Sequence, residues 1–558
     1  MKKLLKRLCS AMVAAVMVMT MAPAAFAADG GAQFQNGPYL LAPKTNSMVV
    51  VWESTEKVSA TIAYGTDESK LCDPIKVEID ADAPDFKGSK MNLFHYKLDN
   101  LTPGTRYYYE VKLEGGATCK ASFKTLSEKP DQIRLITLSD SHIFATRAEL
   151  DQAIKEFDPD LLLHCGDMVE GTGAQAEQFS FWFQGKVEND YIHSYPVVYS
   201  SGNHDQGGVY FNTYVYSIQD EEYGAEVEGD SSFNYAGLHI ITMNSNPWGL
   251  FQMNSEATGQ KADAATIKTI DNAMNWLKKD LATDAAKNAD FRLIFMHHPV
   301  SDAYTKRYIP AVIEPGKVDL LLSGHTHSYA RAVSSNPAVG AGTIYLTHQD
   351  ARTYNKKGDF FYITSTPGSG VLDVKNYGAT AAGQESKVAN ETLVAKDKQQ
   401  LSWSDISITP STVLYNGEVT VTAKVTNNGK GLAAAVIPVV DNGTTRYLYK
   451  FEDGIVTLDP GKSATLTGTL RMETLGTHTL KLADKTVSVN VKYRPTTFDY
   501  TNIRTQQGNG KTSDMNSNIL HIKADVVNIG NDAGTGTAEF KVNGVTVGTR
   551  QYTLKSGE

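Results

Sequence analysis

Five short motifs rich in aspartate, asparagine and histidine lie between residues 140 and 327, and each follows an apolar, strand-like run. In chain order they are Asp140-Ser141-His142, Gly166-Asp167, Gly202-Asn203-His204-Asp205, Met296-His297-His298-Pro299 and Gly324-His325-Thr326-His327. In open α/β sheets, ligands bind beyond the carboxyl ends of the strands, where distant parts of the chain meet. The order of these motifs therefore predicts a single site.

The sequence around the motifs predicts alternating strands and helices from about residue 130. Ile133–Leu138 and Leu161–His164 have the composition of buried strands, and a capping box at Thr146 and Glu149 predicts a helix between them. Further elements are a predicted helix at 264–282 and predicted strands at 291–296 and 318–322. A strand–helix–strand unit of this kind predicts a parallel or mixed sheet flanked by helices.

Taken singly, each motif also fits a structural role. The Gly202-Asn203 pair favours a turn, and two adjacent histidines at a strand end fit the edge of a core. The motifs include two carboxylates, one amide oxygen and four imidazoles that together suit two divalent or trivalent cations. Mixed nitrogen and oxygen ligands favour Zn, Fe, Mn or Co over Ca. Two such cations can clamp a phosphate oxygen and acidify a water molecule.

Residues 36–127 have the pattern of a small β-sandwich. Strand-like runs at Met48–Trp52, Ala60–Tyr64 and Tyr107–Val111 are separated by clusters of Gly, Pro and Asp. The stretch Leu101–Tyr107 resembles the turn and tyrosine corner of a fibronectin type III domain. We predict a structural or substrate-framing role for this domain, because none of its residues has metal-ligand spacing.

Residues 130–376 resemble the calcineurin-like metallophosphoesterase superfamily, whose signature is this ordered set of motifs. With the fibronectin-like domain in front, the arrangement resembles bacterial purple acid phosphatase-like proteins. The resemblance implies a four-layer α/β/β/α sandwich with a dimetal site at one edge. The expected fold class is therefore a multidomain chain with a β-sandwich, this α/β domain and C-terminal immunoglobulin-like β modules.

The resemblance also implies roles for individual residues. The first metal ion would be held by Asp140, His142, Asp167 and His327, and the second by Asp167, Asn203, His297 and His325, with Asp167 bridging. His298 occupies a position that varies among relatives, so we expect it to support the site rather than ligate. His204 would act as general acid or transition-state stabiliser, and Asp205 would orient it by hydrogen bonding. Gly202 would permit a sharp turn.

Three departures from the family pattern change the expectation. Purple acid phosphatases carry a metal-binding tyrosine where this chain has Glu170, and a glycine where it has His142. We therefore predict that His142 replaces the tyrosinate and that the enzyme is colourless. Lys306 and Arg307 stand where plant-type relatives have a histidine pair, and they are predicted either to bind substrate or to lie on the surface. Arg331 and Tyr329 are predicted to support the site, with Arg331 also a candidate substrate contact.

The aromatic stretch Phe179–Phe183 has two interpretations, either a wall of the substrate cleft or part of the core. Cysteines leave alternatives open as well. Cys72 and Cys119 could pair in an oxidising compartment, whereas Cys165 is predicted to be a small buried apolar residue.

The amino terminus has the pattern of a secretory signal peptide over residues 1–27. Four basic residues precede an apolar stretch, and Ala25-Phe26-Ala27 fits a cleavage site. Cleavage would change the charge from 53 basic and 62 acidic residues, net −9, to 49 and 62, net −13. This acidity argues against bulk nucleic-acid binding. We expect no transmembrane segment in the mature chain, which would be a bacterial protein that is secreted or held at the cell surface.

Beyond the α/β domain, residues 377–399 are polar and predict a linker, and the chain then becomes β-rich with a weak repeat. Ala423–Gly429 aligns with Ala524–Gly530, and Leu458–Lys462 aligns with Leu554–Glu558. These segments resemble two bacterial cell-adhesion-related, immunoglobulin-type modules at 400–491 and 495–558, the second truncated. The sequence is therefore expected to be a fragment of a longer surface protein, associated with the cell surface through these modules.

We therefore predict a secreted dimetal phosphohydrolase that acts on a phosphoester substrate. Its two ions would be Fe, Zn or Mn, and a metal-bound hydroxide would attack phosphorus while His204 assists the leaving group. Phosphomonoesters are the first expectation, and phosphodiesters, nucleotides or phosphorylated wall polymers are the alternative. A surface adhesion or scaffold protein with a degenerate catalytic domain is the alternative from a different functional class.

Overall fold

The computed structural model describes residues 31–80, 85–86, 89–142, 154–171, 176–183, 190–206, 210–247, 264–299, 312–313, 316–333, 343–348, 359–378, 391–394, 400–429, 433–448, 456–507 and 520–558. The predicted signal peptide and the capping box at Thr146 and Glu149 lie outside these residues. The chain divides into two compact units, one spanning most of residues 1–398 and the other mainly 399–558. None of the helices in the described ranges is long and apolar enough to cross a membrane.

The N-terminal region is built from two antiparallel sheets. One contains, in spatial order, Phe34–Leu41, Met48–Ser54 and Leu93–Leu98; the other contains Ile75–Val77, Ala60–Gly65, Arg106–Leu113 and Thr118–Lys124. A short hairpin joins Asp85–Phe86 to Ser89–Lys90. The three predicted strands of this region are therefore confirmed. Tyr107 accepts a hydrogen bond from the backbone N–H of Thr102 at 2.9 Å, which fixes the turn before its strand.

The region from Ile133 to Val394 contains two six-stranded sheets. The first has the order Val197–Tyr199, Leu161–His164, Ile133–Leu138, Asp359–Ser365, Val371–Gly378 and Glu391–Val394. The second has the order Ser231–Tyr235, Leu238–Thr242, Phe291–Phe295, Leu320–Ser323, Ile344–Thr347 and Ala330–Val333. Both sheets are mixed, as predicted, with a parallel group of strands that carries the motifs.

The helices of this region include the predicted helix near residues 264–282 and several that were not predicted. They comprise Ala176–Phe183, the 3-10 helix Asp190–His193, the π-helix Asn212–Tyr216, Ser217–Tyr223, Ala264–Asp280 and Asp284–Asn288. The predicted helix at 264–282 is confirmed, and it buries Ile270, Met274 and Leu277 on one face. These residues share a core with Ile241 and Ile294 of the second sheet, which explains the 3.6-residue periodicity of the helix.

The N-terminal sheet and the α/β region share one apolar core. Tyr39, Val51 and Leu93 pack in the same buried cluster as Phe183 and Tyr214. The ring centroids of Tyr39 and Phe183 are 4.3 Å apart, and the Tyr39 hydroxyl donates to the Tyr214 carbonyl at 2.8 Å. The N-terminal domain is therefore fixed to the helices that flank the first sheet rather than tethered loosely to them.

The structure corrects one expectation about this unit and decides one question that the sequence leaves open. Glu391–Val394, inside the predicted linker 377–399, is a strand that pairs with Val371–Gly378, because its alternating side chains bury Leu393 at the sheet edge. Cys72 and Cys119 do not form a disulfide: both thiols are free, with Cys72 exposed and Cys119 buried in the strand Thr118–Lys124. Cys165 is fully buried, as predicted.

The second unit consists of β-strands. One larger sheet has three strands, in the order Leu401–Thr409, Gly417–Asn427 and Ser463–Met472. The other has five strands, in the order Thr412–Leu414, Lys485–Lys492, Gly476–Leu482, Ile437–Asp441 and Thr444–Leu448. Three two-stranded sheets pair Ala433–Ala435 with Val456–Leu458, Phe498–Gln507 with Leu520–Asn528, and Gly534–Val542 with Val545–Leu554. The expectation of a β-rich C-terminal region is confirmed.

The weak sequence repeat is also a structural repeat. The side-chain oxygen of Asn427 accepts from the N–H of Gly429 at 2.9 Å, and that of Asn528 accepts from Gly530 at 3.0 Å. The amides of both asparagines also donate to a leucine carbonyl, at 2.8 and 3.2 Å. The two aligned segments therefore form the same asparagine-anchored turn.

Candidate metal centre

The motifs follow neighbouring parallel strands in each sheet. Asp140, Asp167 and Gly202 come after three adjacent strands of the first sheet, Ile133–Leu138, Leu161–His164 and Val197–Tyr199. His297 and His325 come after two adjacent strands of the second, Phe291–Phe295 and Leu320–Ser323. Because these strands run parallel within each sheet, their carboxyl ends carry the motifs to one edge.

Asp140, His142, Asp167 and His327 form one group whose ligand atoms lie within 4.8 Å of one another. The Nε2 atoms of His142 and His327 are 3.3 Å apart, and His327 Nε2 lies 3.1 Å from Asp140 Oδ1. His142 Nδ1 lies 3.1 Å from the Val169 carbonyl, to which it donates in the tautomer that leaves Nε2 its lone pair. The structure therefore brings together the four residues predicted to hold the first ion.

Asp167 also lies beside the residues predicted for the second ion. His297 Nε2 is 3.1 Å from Asp167 Oδ2 and 3.1 Å from Asn203 Oδ1. The other ring nitrogen of His297 lies 2.9 Å from the Cys165 carbonyl, which orients the ring toward Asp167. The His297 and His325 ring centroids are 5.2 Å apart. Asp167 thus occupies the position between two ligand groups that its predicted bridging role requires.

The backbone at these residues is strained. Five of the seven predicted ligands have positive φ angles: Asp140 (54°), His142 (51°), Asp167 (56°), His325 (71°) and His327 (52°). Such a conformation is unfavourable for residues with a Cβ, costs about 1–3 kcal/mol each and clusters at functional sites. The fold therefore holds these side chains in a convergent arrangement that the free chain would avoid.

Glycines allow the motif backbones to approach one another. A Cβ on Gly202 would collide with the backbone nitrogen and carboxylate of Asp167, and one on Gly324 would collide with Ser139 and Asp140. The φ angle of Gly202 is not in the left-handed region. Gly202 begins the predicted turn, in which the N–H of Asp205 donates to the Gly202 carbonyl at 3.2 Å, and a glycine is required there because Asp167 lies against it.

The electrostatics of the site favour ionised carboxylates. Burial opposes ionisation of Asp140 and Asp167, but the hydrogen bond from His327 and the charge of His297 lower the pKa of Asp140. The charge and hydrogen bond of His297 likewise lower the pKa of Asp167. Burial alone would lower the pKa of His297, but Asp167 beside it raises that pKa to about 9. Both carboxylates are therefore held in the ionised form that metal ligation requires.

The donor set fits bound cations. Two buried carboxylates converge with two imidazole Nε2 atoms 3.3 Å apart, and a third imidazole lies 3.1 Å from an amide oxygen. Two facing imidazole nitrogens share at most one proton, so a cation satisfies both better than a hydrogen bond does. Carboxylate and imidazole ligands in this proportion suit Zn, Fe or Mn.

Asp205 has a different role from the one predicted. Its buried carboxylate accepts from four backbone N–H groups: Asp167 (2.7 Å), Met168 (2.8 Å), Val169 (3.2 Å) and Gly202 (2.8 Å). His204 is oriented instead through its Nδ1, which lies at 2.5 Å from the Glu170 carbonyl. Asp205 thus shapes the metal-binding loop, because its oxygens are already occupied by that loop.

From the sequence, Glu170 has no predicted role beyond standing where relatives have a tyrosine. In the structure its carboxylate lies 3.1 Å from His142 Nδ1, while its carbonyl binds His204. Glu170 therefore contacts a predicted ligand and the predicted general acid at once. The only sequence signal for it was its position three residues after Asp167.

Of the three predicted substrate contacts, the structure describes only Arg331. Lys306 and Arg307 lie outside the described residues. Arg331 forms a two-pronged ion pair with the buried Glu391, which joins the edge strands of the two sheets. This commits its guanidinium to a structural contact, so a direct substrate role for Arg331 is not supported.

The aromatic stretch Phe179–Phe183 belongs to the core. Phe179, Trp182 and Phe183 are fully buried in the cluster shared with the N-terminal domain, whereas Phe181 is 52 % exposed. The core interpretation of this stretch is therefore confirmed.

The fold and the site define a class of α/β protein with two mixed sheets and a candidate dimetal centre. Residues 133–329 match the model of the calcineurin-like phosphoesterase family, and residues 38–125 match that of the purple acid phosphatase N-terminal domain. Over residues 133–329 the chain belongs to the calcineurin-like phosphoesterases, preceded by a purple acid phosphatase-type N-terminal domain. The family resemblance predicted from the motifs is therefore confirmed.

Solved structures similar to this chain include one described as PhoD, with 12 % identity and a TM-score of 0.44, covering 65 % of this chain and 90 % of that one. A predicted phosphoesterase from Streptococcus pneumoniae has 11 % identity and a TM-score of 0.23, covering 47 % and 98 %. Vps29 from Chaetomium thermophilum has 10 % identity and a TM-score of 0.22, covering 47 % and 97 %. A search of curated proteins found no match.

Proposed function

We propose that this protein is a dimetal phosphohydrolase whose preferred substrates are phosphomonoesters. The observation that carries the proposal is the position of Asp167, which lies between two imidazole-bearing ligand groups, each of which draws residues from both sheets. Two bound cations would supply Lewis-acid activation of the phosphoester and lower the pKa of a water molecule to near neutrality. Asp140, His142, Asp167 and His327 would hold one, and Asp167, Asn203, His297 and His325 the other.

His204 is suited to protonate the leaving group. Its Nδ1 donates to the Glu170 carbonyl, so that Nε2 is the nitrogen presented to a ligand. Nε2 lies 4.0 Å from Asp167 Oδ2, and the side chain is 35 % exposed. As the ester P–O bond breaks and a water oxygen bonds to phosphorus, a proton on Nε2 would pass to the departing alkoxide.

The position of His204 depends on the loop that carries it. Its backbone N–H donates to Asp167 Oδ1 at 2.8 Å, so the general acid and the bridging carboxylate are fixed to each other. Asp205 holds the same loop from its buried side. These loop contacts therefore fix the position of His204 relative to the metal-binding residues, and no carboxylate is needed to orient its ring.

The overall architecture and location follow the same proposal. We propose that the two six-stranded sheets and their helices form the four-layer arrangement of metallophosphoesterases, and that the C-terminal strands form immunoglobulin-type modules. The repeated asparagine turns support the second point. The signal-like sequence at residues 1–27 supports export and placement at the cell surface.

The substrate class is tested by comparing turnover of nitrophenyl phosphate with that of bis(nitrophenyl) phosphate on the purified protein. A higher kcat/KM for the monoester is expected. A preference for the bis-ester would replace the monoester proposal with a phosphodiesterase. Hydrolysis of neither, with no bound metal, would favour a binding protein with a degenerate catalytic domain.

A further inference from the structure

His298 is a buried imidazole with an unused nitrogen beside the metal centre. His298 is only 4 % exposed to solvent. Nδ1 lies 3.0 Å from the hydroxyl of Ser245, which also accepts the backbone N–H of His298 at 2.9 Å. Nε2 is buried and has no hydrogen-bond partner within the described part of the chain. A buried polar atom without a partner is unfavourable, so this nitrogen is suited to bind a ligand.

The His298 ring lies among metal-ligand candidates. Ring nitrogens of His297, His298 and His325 all lie within 4.8 Å of one another. The His298 ring centroid is 4.5 Å from that of His325 and 4.9 Å from that of His297. His297 already directs its own Nε2 at Asp167 and Asn203. Three imidazoles therefore surround the position predicted for the second ion.

The anchoring of His298 matches that of a ligand. A metal-bound histidine almost always donates its other ring N–H to an oxygen acceptor, which leaves one lone pair for the ion. His297 meets this condition through the Cys165 carbonyl, and His298 meets it through Ser245 Oγ. His239, another buried histidine, does not, because both of its ring nitrogens are partnered by Asn234 and Asp280.

We propose that His298 is a ligand of the second metal ion, in addition to Asp167, Asn203, His297 and His325. This inference rests on the proposed dimetal function and names the chemistry of one of its two positions. The second position then has three imidazoles, one amide oxygen and one shared carboxylate, whereas the first has two imidazoles and two carboxylates. Imidazole ligands suit Zn, Cu, Fe and Ni, whereas oxygen ligands suit Mn, so the second position is expected to prefer the first group of ions over Mn.

The test uses the full-length protein loaded with Co²⁺, whose absorption spectrum reports coordination independently of activity. His298→Gln is compared with His239→Gln, which removes an equally buried histidine that has no free nitrogen. We expect His298→Gln to weaken binding of one Co²⁺ by at least about tenfold in chelator competition and to change the cobalt spectrum. His239→Gln should keep both properties.

Ser245→Ala covers the case in which His298→Gln does not fold. It keeps the imidazole but removes its anchor, and we expect a smaller loss of affinity at the same ion. Wild-type affinity for both ions and an unchanged spectrum in the folded variants would overturn the ligand role of His298. Failure of the wild-type protein itself to bind two ions would instead overturn the proposed dimetal function.

Discussion

The carboxylate of Asp205 accepts a hydrogen bond from the backbone N–H of Asp167 across 2.7 Å. The two residues are 38 positions apart, and the contact sets the backbone from which Asp167 reaches both ligand groups. Burial, together with the charge of Asp167, raises the pKa of Asp205 to about 7, against the backbone donors that lower it. One carboxylate thus shapes the loop so that another can serve the metal.

Replacement of Asp205 by asparagine should damage metal binding rather than proton transfer. The Asp205→Asn amide places a donor against two backbone N–H groups, and each buried donor left unpaired costs about 1–3 kcal/mol. We expect a lower Tm and reduced metal content by elemental analysis. An Asp205→Asn protein with wild-type Tm and metal content would show that the carboxylate does not hold this loop.

His204 and Asn203 should separate chemistry from metal binding. His204→Ala is expected to keep both ions and to reduce kcat by about 10²–10⁴-fold, because only the proton donor is lost. Asn203→Ala removes an oxygen 3.1 Å from His297 Nε2 and should weaken the binding of one of the two metal ions. Metal content and kcat are measured on both variants. Loss of metal in His204→Ala would contradict this division of roles.

The strands that lead to the site could be predicted because their sequences are continuous and apolar. Ile133–Leu138 and Leu161–His164 have the predicted boundaries, and the helix Ala264–Asp280 ends two residues before its prediction. The convergence of Asp140, His142, Asp167 and His327 could also be predicted, because each follows a strand and parallel strands share an edge.

The roles of Asp205 and Gly202 could not be predicted from local sequence. Both depend on Asp167, which approaches Gly202 closely and donates to Asp205 only after the strands are assembled. The same limit applies to Arg331 and Glu391, 60 residues apart, whose ion pair joins edge strands of two sheets. Charged residue types alone do not reveal which contact a folded chain will choose.

Asp230 should make the protein less stable as the pH rises. Burial raises the pKa of Asp230 to about 8, although the Asn244 N–H at 2.8 Å opposes the shift. Its Oδ2 is buried without a hydrogen-bond partner among the described residues. Between pH 4 and 8 the folded state therefore keeps a proton that the unfolded state has lost, so unfolding becomes easier by up to about 1.4 kcal/mol per pH unit.

Asp230→Asn should remove this pH dependence, because the amide stays neutral in both states. Denaturant unfolding at pH 5 and pH 8 would measure it, and the loss of stability between the two values should be smaller in the variant than in the wild type. An equal pH dependence in both proteins would assign the effect to other groups.

The most direct test of the dimetal account is elemental analysis and nitrophenyl phosphate hydrolysis of Asp167→Ala. This change removes the carboxylate that faces His297 Nε2 at 3.1 Å and belongs to the ligand group of Asp140, His142 and His327. The account predicts that the wild type carries two metal ions, and that the variant loses bound metal and that its hydrolysis falls to background. Unchanged metal content and unchanged hydrolysis in Asp167→Ala would contradict it.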